Sequence, residues 1–339
     1  MKNGNDNQSR QNLRPLSKIF PYLKRYRLRV AAALFFLLLA AFTTLMLPIA
    51  VRRVVDKGFF ENDPTLVNSY FAVLLLASAV LAIASACRYY FVIWIGERIV
   101  ADLRKDVFQN LTRLGADFFD TARSGEIISR LTADTTRIKS AVGATASLAL
   151  RNTILGLGAL IMMVYTSPRL SMIVIGAIPL IVLPIVAFGR AVRRRSRNAQ
   201  DKLADATAYA SEAMTAVRIM QAFTNGDRVA RDYGGSVEYA FDAARLAIRT
   251  RALLTAFAIL LVFSSVVAVL WIGAWDVLED KLTPGTLGQF LLYAVLASGA
   301  LAGLSEVWGE VSQAAGSAER LIELLAEEPT IVGPDKPEY

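Results

Sequence analysis

Residues 30–51 read VAAALFFLLLAAFTTLMLPIAV, a run of 22 residues without a charged side chain. An α-helix needs about 20 predominantly apolar residues to cross the hydrocarbon core of a bilayer, so this run predicts a transmembrane helix. Five later stretches have a similar length and character, and all six together predict an all-α membrane protein. The predicted transmembrane spans are residues 30–51, 66–95, 144–166, 170–189, 253–278 and 287–308.

The composition favours a membrane protein over a nucleic-acid binder. Charged residues make up 19% of the chain, whereas soluble domains carry about 25%. The net charge of +8 arises from Lys and Arg that cluster at the ends of apolar blocks, as in Lys24–Arg27 and Arg193–Arg195. This placement is typical of topology signals and of contacts with anionic headgroups. We therefore expect membrane lipids, and no nucleic acid, as partners.

The chain lacks the residues that most often catalyse reactions or bind metals. It contains no histidine and a single cysteine, Cys87, which lies in an apolar block. An intrachain disulfide is therefore excluded, and neither a histidine-assisted nucleophile nor an imidazole metal site can form. The sequence predicts no catalytic residue and no metal site.

The connections between the spans differ in length, and the long ones set the predicted orientation. Residues 96–143 and 190–251 hold most of the Lys and Arg. The positive-inside rule places both in the cytoplasm, together with residues 1–29 and 309–339. Their apolar residues keep a helical spacing, so we expect tall helices that project roughly 25–30 Å beyond the bilayer. Residues 1–15 are predicted to form a disordered cytoplasmic tail.

The tips of the two long connections carry distinctive sequences. Residues 114–138 read LGADFFDTARSGEIISRLTADTTRI, and residues 216–224 read AVRIMQAFT. Together with the six spans, these stretches resemble the transmembrane domain of type IV ABC exporters, the family of multidrug, lipid A, peptide and mitochondrial half-transporters. The resemblance covers about residues 16–328, and residues 16–325 are the predicted transmembrane domain.

The resemblance implies a dimer, formed with a second copy or a homologous half, that carries two cytoplasmic ABC nucleotide-binding domains. Coupling helices at the two tips, Leu114–Thr121 and Val217–Thr224, would rest in grooves on these domains. It also implies that the fourth and fifth helices cross to the other subunit, so that the second tip meets the partner's nucleotide-binding domain. The implied coupling residues are Phe118, Phe119, Asp120, Gly125 and Glu126 at the first tip and Val217, Arg218, Gln221, Ala222 and Phe223 at the second.

Two features leave the detail of these contacts open. The phenylalanines Phe118, Phe119 and Phe223 are large apolar groups at polar tips. Docking in a groove would remove them from water. Alternatively, they could stabilise the local helical turn and have no docking role. In the family an acidic residue commonly follows the second tip, and here Gly226 takes that place with Asp227 next.

The 339 residues contain no Gly-x-x-x-x-Gly-Lys-Ser/Thr sequence, which in P-loop proteins cradles the nucleotide phosphates. We therefore expect that this chain alone is not an enzyme and binds no cofactor. ATP and Mg²⁺ are expected on a nucleotide-binding domain absent from the chain. Residues 326–339 are rich in Pro and acidic side chains, which is typical of a linker. That domain is either removed by truncation or supplied as a separate subunit.

The inner faces of the six spans are the expected substrate cavity, and their apolar character suits hydrophobic or amphipathic compounds. Two of the candidates have a competing interpretation. Arg88 also suits an interfacial belt of aromatic and basic residues, and Glu306 also suits the start of a solvated cytoplasmic helix. The candidate lining residues are Thr43, Met46, Arg88, Phe290, Tyr293 and Glu306.

The sequence thus predicts a membrane-spanning subunit of an ATP-driven exporter in a bacterial inner membrane. It would move a lipid-like, amphipathic or peptide substrate by alternating access. Three alternatives stay open: a receptor-like or channel-like module gated by nucleotide-binding domains, a secondary transporter, and an inactive fragment. Secondary transporters place ionisable groups or broken helices near the midplane, whereas the middles of these spans hold almost no charge.

Overall fold

A computed structural model describes residues 18–58, 64–122 and 124–329. Its described part contains six helices that are long and apolar enough to cross a membrane, which confirms the predicted number of spans. The predicted tail of residues 1–15 lies outside the described residues. The six candidate helices are Arg27–Lys57, Asn68–Leu111, Ser124–Thr166, Pro168–Thr215, Gly226–Leu278 and Pro284–Ala326.

The helices are much longer than a bilayer requires. A helix of 48 residues, such as Pro64–Leu111, is about 72 Å long, more than twice the thickness of a hydrocarbon core of about 30 Å. In chain order the helices are α1 (Phe20–Lys24), α2 (Arg27–Arg53), α3 (Pro64–Leu111), α4 (Ala116–Thr121), α5 (Ser124–Ser129), α6 (Thr135–Ser140), α7 (Ala146–Thr166), α8 (Pro168–Thr215), α9 (Val217–Ala222), α10 (Gly226–Leu278) and α11 (Pro284–Ala326).

The chain divides into two compact units. The first consists of the described parts of residues 1–166 and 283–339, and the second of residues 167–282. In the first unit α2 packs along α3, and α7 packs along α11. The second unit is a single hairpin, in which α8 packs along α10. It contains the fourth and fifth predicted spans and the second of the two tips.

The core of the first unit continues well beyond the apolar spans. Ile99, Leu103, Val107 and Leu111 recur every four residues along α3 and are buried in one cluster with Leu321 of α11. Residues four apart lie on the same face of a helix, so these side chains form one apolar stripe. The amphipathic pattern predicted a tall helix in this part of the chain, and the structure confirms it.

The start of α11 is fixed to the π-helical turn Val54–Gly58 that directly follows α2. The carboxylate of Asp56 accepts hydrogen bonds from the Gly285 backbone N–H, at 2.8 Å, and from the Thr283 hydroxyl, at 2.7 Å. A Cβ atom at Gly285 would lie 2.5 Å from Asp56 Oδ1 and 2.7 Å from the Arg52 carbonyl oxygen. Glycine is therefore needed at this close approach, where the carboxylate satisfies an N–H group of the first turn.

The hairpin of the second unit begins with a side-chain cap. The Ser167 hydroxyl accepts a hydrogen bond from the Leu170 N–H at 3.3 Å, which satisfies one of the free donors at the start of α8. Arg169 forms an ion pair with the buried carboxylate of Asp276 near the end of α10. This ion pair holds the start of α8 to the end of α10, which are the two points where the chain enters and leaves the hairpin unit.

Candidate functional site

The first tip is the short helix α4, which follows the end of α3. Its two phenylalanines meet edge to face with ring centroids 5.3 Å apart, but they differ in their surroundings. Phe118 is half-buried and packs against the apolar cluster of the first unit, whereas Phe119 remains 45% exposed. Asp120 is exposed as well. Phe118 thus anchors the helix to the bundle, and Phe119 is the phenylalanine that it presents outward.

An arm of short helices leads from this tip back toward α7. It consists of α5, α6 and two π-helical turns, Arg130–Asp134 and Ala141–Thr145. Near its start Gly125 and Glu126 are exposed, and the Glu126 carboxylate pairs with Arg130 at 2.6 Å. The sequence predicted a tall helix here, and the structure has one helix of 43 residues, Ser124–Thr166, that includes the two π-helical turns. π-Helical turns carry one extra residue per turn and often occur at functional sites.

A buried carboxylate fixes the arm to the last helix. Asp134 is 5% exposed, and it accepts hydrogen bonds from Arg320 Nε at 2.8 Å and from the Ser317 hydroxyl at 2.9 Å. Arg320 Nη2 donates a further hydrogen bond to the same carboxylate. Forked arginine–carboxylate contacts of this kind are strong and directional. We call Asp134, Ser317 and Arg320 the arm clamp.

Further polar contacts hold the same arm from the other side. Arg104 of α3 donates hydrogen bonds from Nε to the Leu131 carbonyl oxygen, at 3.1 Å, and to the Thr135 hydroxyl, at 3.0 Å. The first of these partners belongs to the first π-helical turn. The arm between the tip and the membrane span is therefore held by both α3 and α11.

The arm clamp affects the ionisation of its own carboxyl group. The hydrogen bond from Arg320 is the main reason why the pKa of Asp134 lies below its ordinary value, although burial acts in the opposite direction. The same contact raises the pKa of the Arg320 guanidinium. Both groups are thus charged at neutral pH, and each stabilises the charged form of the other.

The end of α11 lies beside the first tip. Asn110 Nδ2 donates hydrogen bonds to the carbonyl oxygens of Leu324, at 2.9 Å, and Glu327, at 3.0 Å, which satisfies free acceptors at the helix C-terminus. A groove of about 270 Å³ lies between this end and the tip, with Phe118 and Glu126 in its wall. The first residues of the predicted linker, which begins at 326, therefore start next to α4.

The second tip is the short helix α9, and it is far more exposed. It has no buried residue, and Phe223, directly after it, is 79% exposed. Thr224 adopts a positive φ of 50°, a conformation that turns the chain sharply before α10 begins at Gly226. Val217 is half-buried, and Arg218, Gln221 and Ala222 are exposed. Asp227 lies in the first turn of α10, where the helix dipole favours a negative charge.

The six predicted cavity residues do not form one group. Phe290 and Tyr293 are fully buried, and the Tyr293 hydroxyl donates a hydrogen bond to the Leu45 carbonyl oxygen at 2.7 Å. In this conformation both pack inside the first unit. Thr43 is buried and bonds to the Leu39 carbonyl of its own helix, Met46 is half-buried, and Glu306 is exposed.

Arg88 has a neighbour that the sequence reasoning missed. Its Nη1 atom donates a hydrogen bond to the Ser147 hydroxyl on α7 at 2.8 Å. One helical turn farther along α7 lies Arg151, close enough for the two positive charges to repel each other. The available signal was an arginine inside the apolar stretch LALRNTILG of residues 148–156, since ionisable residues inside membrane spans often have a function.

The comparisons with known proteins agree with this architecture. The family model described as ABC transporter transmembrane region matches residues 30–301. The chain is 28% identical over 318 residues to a "Putative export ATP-binding/permease protein" of Rickettsia felis, covering 94% of this chain and 55% of that protein. It is 30% identical to "ATP-binding cassette sub-family B member 10, mitochondrial" of Mus musculus, with coverages of 97% and 47%.

The chain is also similar to a fungal protein. The chain is 31% identical over 313 residues to "ABC multidrug transporter mdr2" of Aspergillus fumigatus, covering 89% of this chain and 39% of that protein. The chain therefore spans about half the length, or less, of these curated relatives.

Proposed function

Because this chain belongs to the family of ABC transporter transmembrane regions, of the type found in exporters, we propose that it is the membrane-spanning part of an ATP-driven exporter. Two such chains and two ABC nucleotide-binding domains make up the proposed transporter. Its cargo is a lipid-like or amphipathic compound, which matches the apolar character of the spans. The membrane is a bacterial inner membrane, with the tips and both chain ends on the cytoplasmic side.

The observation that carries this proposal is the pair of short helices at the tips of the tall helices. Each presents a large apolar side chain to solvent, Phe119 at 45% and Phe223 at 79% exposure. Exposed aromatic groups at otherwise polar tips are typical of protein contacts. In the proposed mechanism nucleotide-binding domains hold α4 and α9, and their closure on ATP moves both tips. The tall helices then carry this movement to the spans.

The proposed dimer uses the hairpin of α8 and α10 as the element that crosses to the partner. Only 6% of the most apolar window of α10 is buried within the chain. Its exposed groups include Phe263 and Trp271, which suit contact with lipid or with another subunit. The hairpin also forms a compact unit of its own, as expected of an element that is exchanged between two subunits.

The proposed function is tested with proteoliposomes that contain the chain together with its ABC nucleotide-binding domains. We expect ATP with Mg²⁺ to drive net movement of a fluorescent amphiphile across the membrane, and a non-hydrolysable ATP analogue to drive none. The chain reconstituted alone should neither hydrolyse ATP nor move the amphiphile. ATP-dependent ion conductance without net movement of amphiphile would instead show a gated module and contradict the proposal.

The proposed orientation gives a separate prediction. In a Cys87→Ser background, a cysteine at Lys281 should react with a membrane-impermeant maleimide in intact cells, because this exposed residue lies between the fifth and sixth spans. A cysteine at Asp120, which is exposed on the first tip, should react only after the cells are permeabilised. The opposite labelling pattern would show that the tips face away from the cytoplasm.

A further inference from the structure

The groove of about 270 Å³ between the first tip and the end of α11 has an apolar floor and a charged rim. Phe118, Ile127 and Leu324 form the apolar part of its wall, and the last two of these side chains are buried. We call this space the tip groove. The charged side chains that line it are Glu126, Arg130, Glu323 and Glu327.

The rim of the tip groove carries an excess of negative charge, because three carboxylates accompany a single guanidinium. Arg130 is shared by two of them, with Nη2 at 2.6 Å from the Glu126 carboxylate and Nη1 at 3.6 Å from that of Glu323. The last turn of α11, which is the negative end of its helix dipole, lies at the same place. The groove therefore favours a positively charged occupant.

The N-terminal part of the chain runs along α3 in the direction of this groove. The Tyr26 hydroxyl donates a hydrogen bond to the Asp102 carboxylate at 2.6 Å, and the Tyr22 hydroxyl donates one to the Asp106 carboxylate at 2.8 Å. Four residues back along the chain thus correspond to about one turn of α3 toward the first tip. The chain that precedes α1 is directed toward the tip.

The first described residues continue this direction. Ile19 is 5% exposed and belongs to the same apolar cluster as Leu324, a residue of the groove wall. Asn110 lies one turn of α3 beyond Asp106 and donates a hydrogen bond to the Glu327 carbonyl oxygen at 3.0 Å. The contacts of α1 and those of the groove therefore follow one another on the same row of α3.

The residues before Lys18 are predominantly basic. From Lys18 to Arg14 an extended chain spans at most about 14 Å, whereas successive turns of α3 are only about 5–6 Å apart. Arg14 can therefore reach the near rim of the groove, and Arg10, four residues earlier, can reach its far wall. The ionisable residues of this segment are Lys2, Asp6, Arg10 and Arg14.

We propose that residues 10–17, which we call the tail, bind in the tip groove of their own chain. Arg14 pairs with the carboxylates of Glu323 and Glu327, Arg10 pairs with Glu126, and the leucines of the tail cover the apolar floor. Each exposed ion pair of this kind is weak by itself. The tail is tethered, however, and a short tether gives an effective concentration on the order of millimolar, so weak contacts are sufficient.

The position of the groove gives the tail a regulatory role. The groove adjoins α4, which presents Phe119 to solvent. A bound tail therefore lies against the surface to which a nucleotide-binding domain is proposed to dock, and the two compete. This competition rests on the proposed function, whereas the binding of the tail does not.

Disulfide crosslinking measures the position of the tail in the full chain. In a Cys87→Ser background, the first pair is Asn12→Cys in the tail with Ala122→Cys in the groove wall. We expect its intrachain disulfide to form at least about tenfold faster than that of Asn12→Cys with Gln109→Cys. Gln109 is the matched control, because it is exposed on α3 but does not line the groove. Equal rates, or disulfides only between two chains, would overturn the proposal.

A charge exchange tests how the groove recognises the tail. Arg10→Gln combined with Arg14→Gln should slow the first crosslink by about three- to tenfold. Glu323→Arg combined with Glu327→Arg should slow it by a similar factor, and adding Arg10→Glu and Arg14→Glu to that chain should restore the rate. An unchanged rate, or a loss that the exchange does not restore, would mean that the rim does not bind the tail through its charge.

A second pair of substitutions controls for net charge. Glu238→Arg combined with Asp242→Arg changes the charge by the same amount at two exposed carboxylates of α10. The rate of the first crosslink should then stay within about twofold. A loss as large as that caused by the rim substitutions would show general electrostatic attraction and contradict a specific site.

The competition is measured by adding ABC nucleotide-binding domains to the chain. Arg10→Gln combined with Arg14→Gln should strengthen their docking by about three- to tenfold, because the groove is then less often occupied by the tail. Unchanged or weaker docking would contradict the competition. A chain that docks no such domain would contradict the proposed function, whereas the crosslink requires no partner and tests the binding of the tail separately.

Discussion

Phe223→Ala is expected to weaken the docking of ABC nucleotide-binding domains by about 2–4 kcal/mol, or roughly 30- to 700-fold, which is the range of interface hot spots. The reason is its position: Phe223 is 79% exposed at the second tip, so its truncation removes apolar contact with a partner and little contact within the chain. Phe119→Ala should act in the same way at the first tip. Phe119 is 45% exposed, so a docked domain would bury less of its side chain than of Phe223. Assembly is measured by co-purification and by substrate-stimulated ATP hydrolysis.

The chain offers a matched control for the substitution at the second tip. Phe241 is 58% exposed on α10, and it lies about 22 Å along this helix from Gly226, where α10 begins. Its replacement by Ala should leave docking within about twofold. Phe118→Ala is expected to destabilise the first unit instead, because Phe118 packs against its apolar cluster. Equal losses at the tip and control positions, or unfolding of Phe223→Ala, would show that Phe223 has no docking role.

Crosslinking distinguishes which copy of the nucleotide-binding domain each tip touches. In a dimer with one tagged chain, a cysteine at 223 should crosslink to the domain of the other chain if the hairpin crosses over. A cysteine at 119 should crosslink to the domain of its own chain. If both positions reached only their own domain, the proposed exchange of the hairpin would be wrong.

The spans and the tips were predictable because they depend on local sequence. Six apolar blocks near the length of a bilayer thickness predict six helices, and the part of the chain that the structure describes has six candidates. The predicted coupling helices, Leu114–Thr121 and Val217–Thr224, correspond to the observed helices Ala116–Thr121 and Val217–Ala222 within two residues at each end. Helix ends are set by the turns that flank them, and these leave clear signals in sequence.

Contacts between distant parts of the chain were not predictable from one sequence. Asp134 and Arg320 are 186 residues apart, and no spacing rule connects them. The burial of Phe290 and Tyr293 depends on how α11 packs against α2, and no pattern in the sequence shows this packing. The π-helical turns of the arm also escaped prediction, because one extra residue in a helical turn changes the apolar periodicity very little.

Substitutions in the arm clamp are also expected to have a large effect, on the stability of the first unit. Replacing Arg320 should cost more stability than replacing Asp134. Arg320→Met leaves the buried Asp134 carboxylate without its strongest donor, and we expect a loss of about 2–4 kcal/mol in the stability of the first unit. Asp134→Asn leaves a guanidinium that is 41% exposed and can be solvated, so its cost should be about 1–2 kcal/mol. The double variant should cost less than the sum, because the two residues form one pair.

An exposed ion pair on the same arm is the control for this prediction. Lys139 of α6 pairs with Glu97 of α3 at 2.9 Å, and their side chains are 37% and 58% exposed, compared with 7% for Asp134. Lys139→Met should therefore cost less than about 1 kcal/mol. The measurements are thermal unfolding and hydrogen exchange of residues 124–140. Equal losses in Lys139→Met and Arg320→Met would mean that burial of Asp134 does not matter.

The pH dependence of stability tests the contribution of the ionised Asp134 carboxylate to the arm clamp. The folded-state pKa of Asp134 is lowered, mainly by the hydrogen bond from Arg320, so the pair contributes its full stability above the unfolded aspartate pKa of about 3.9. That contribution is lost as the pH falls through the folded-state pKa. Protection of residues 124–140 from hydrogen exchange should accordingly be constant from about pH 8 to pH 5 and decrease below about pH 4. In Arg320→Met the decrease should be smaller, since the interaction that lowers the pKa is gone, and an identical acid response in both proteins would show that Arg320 does not stabilise the carboxylate.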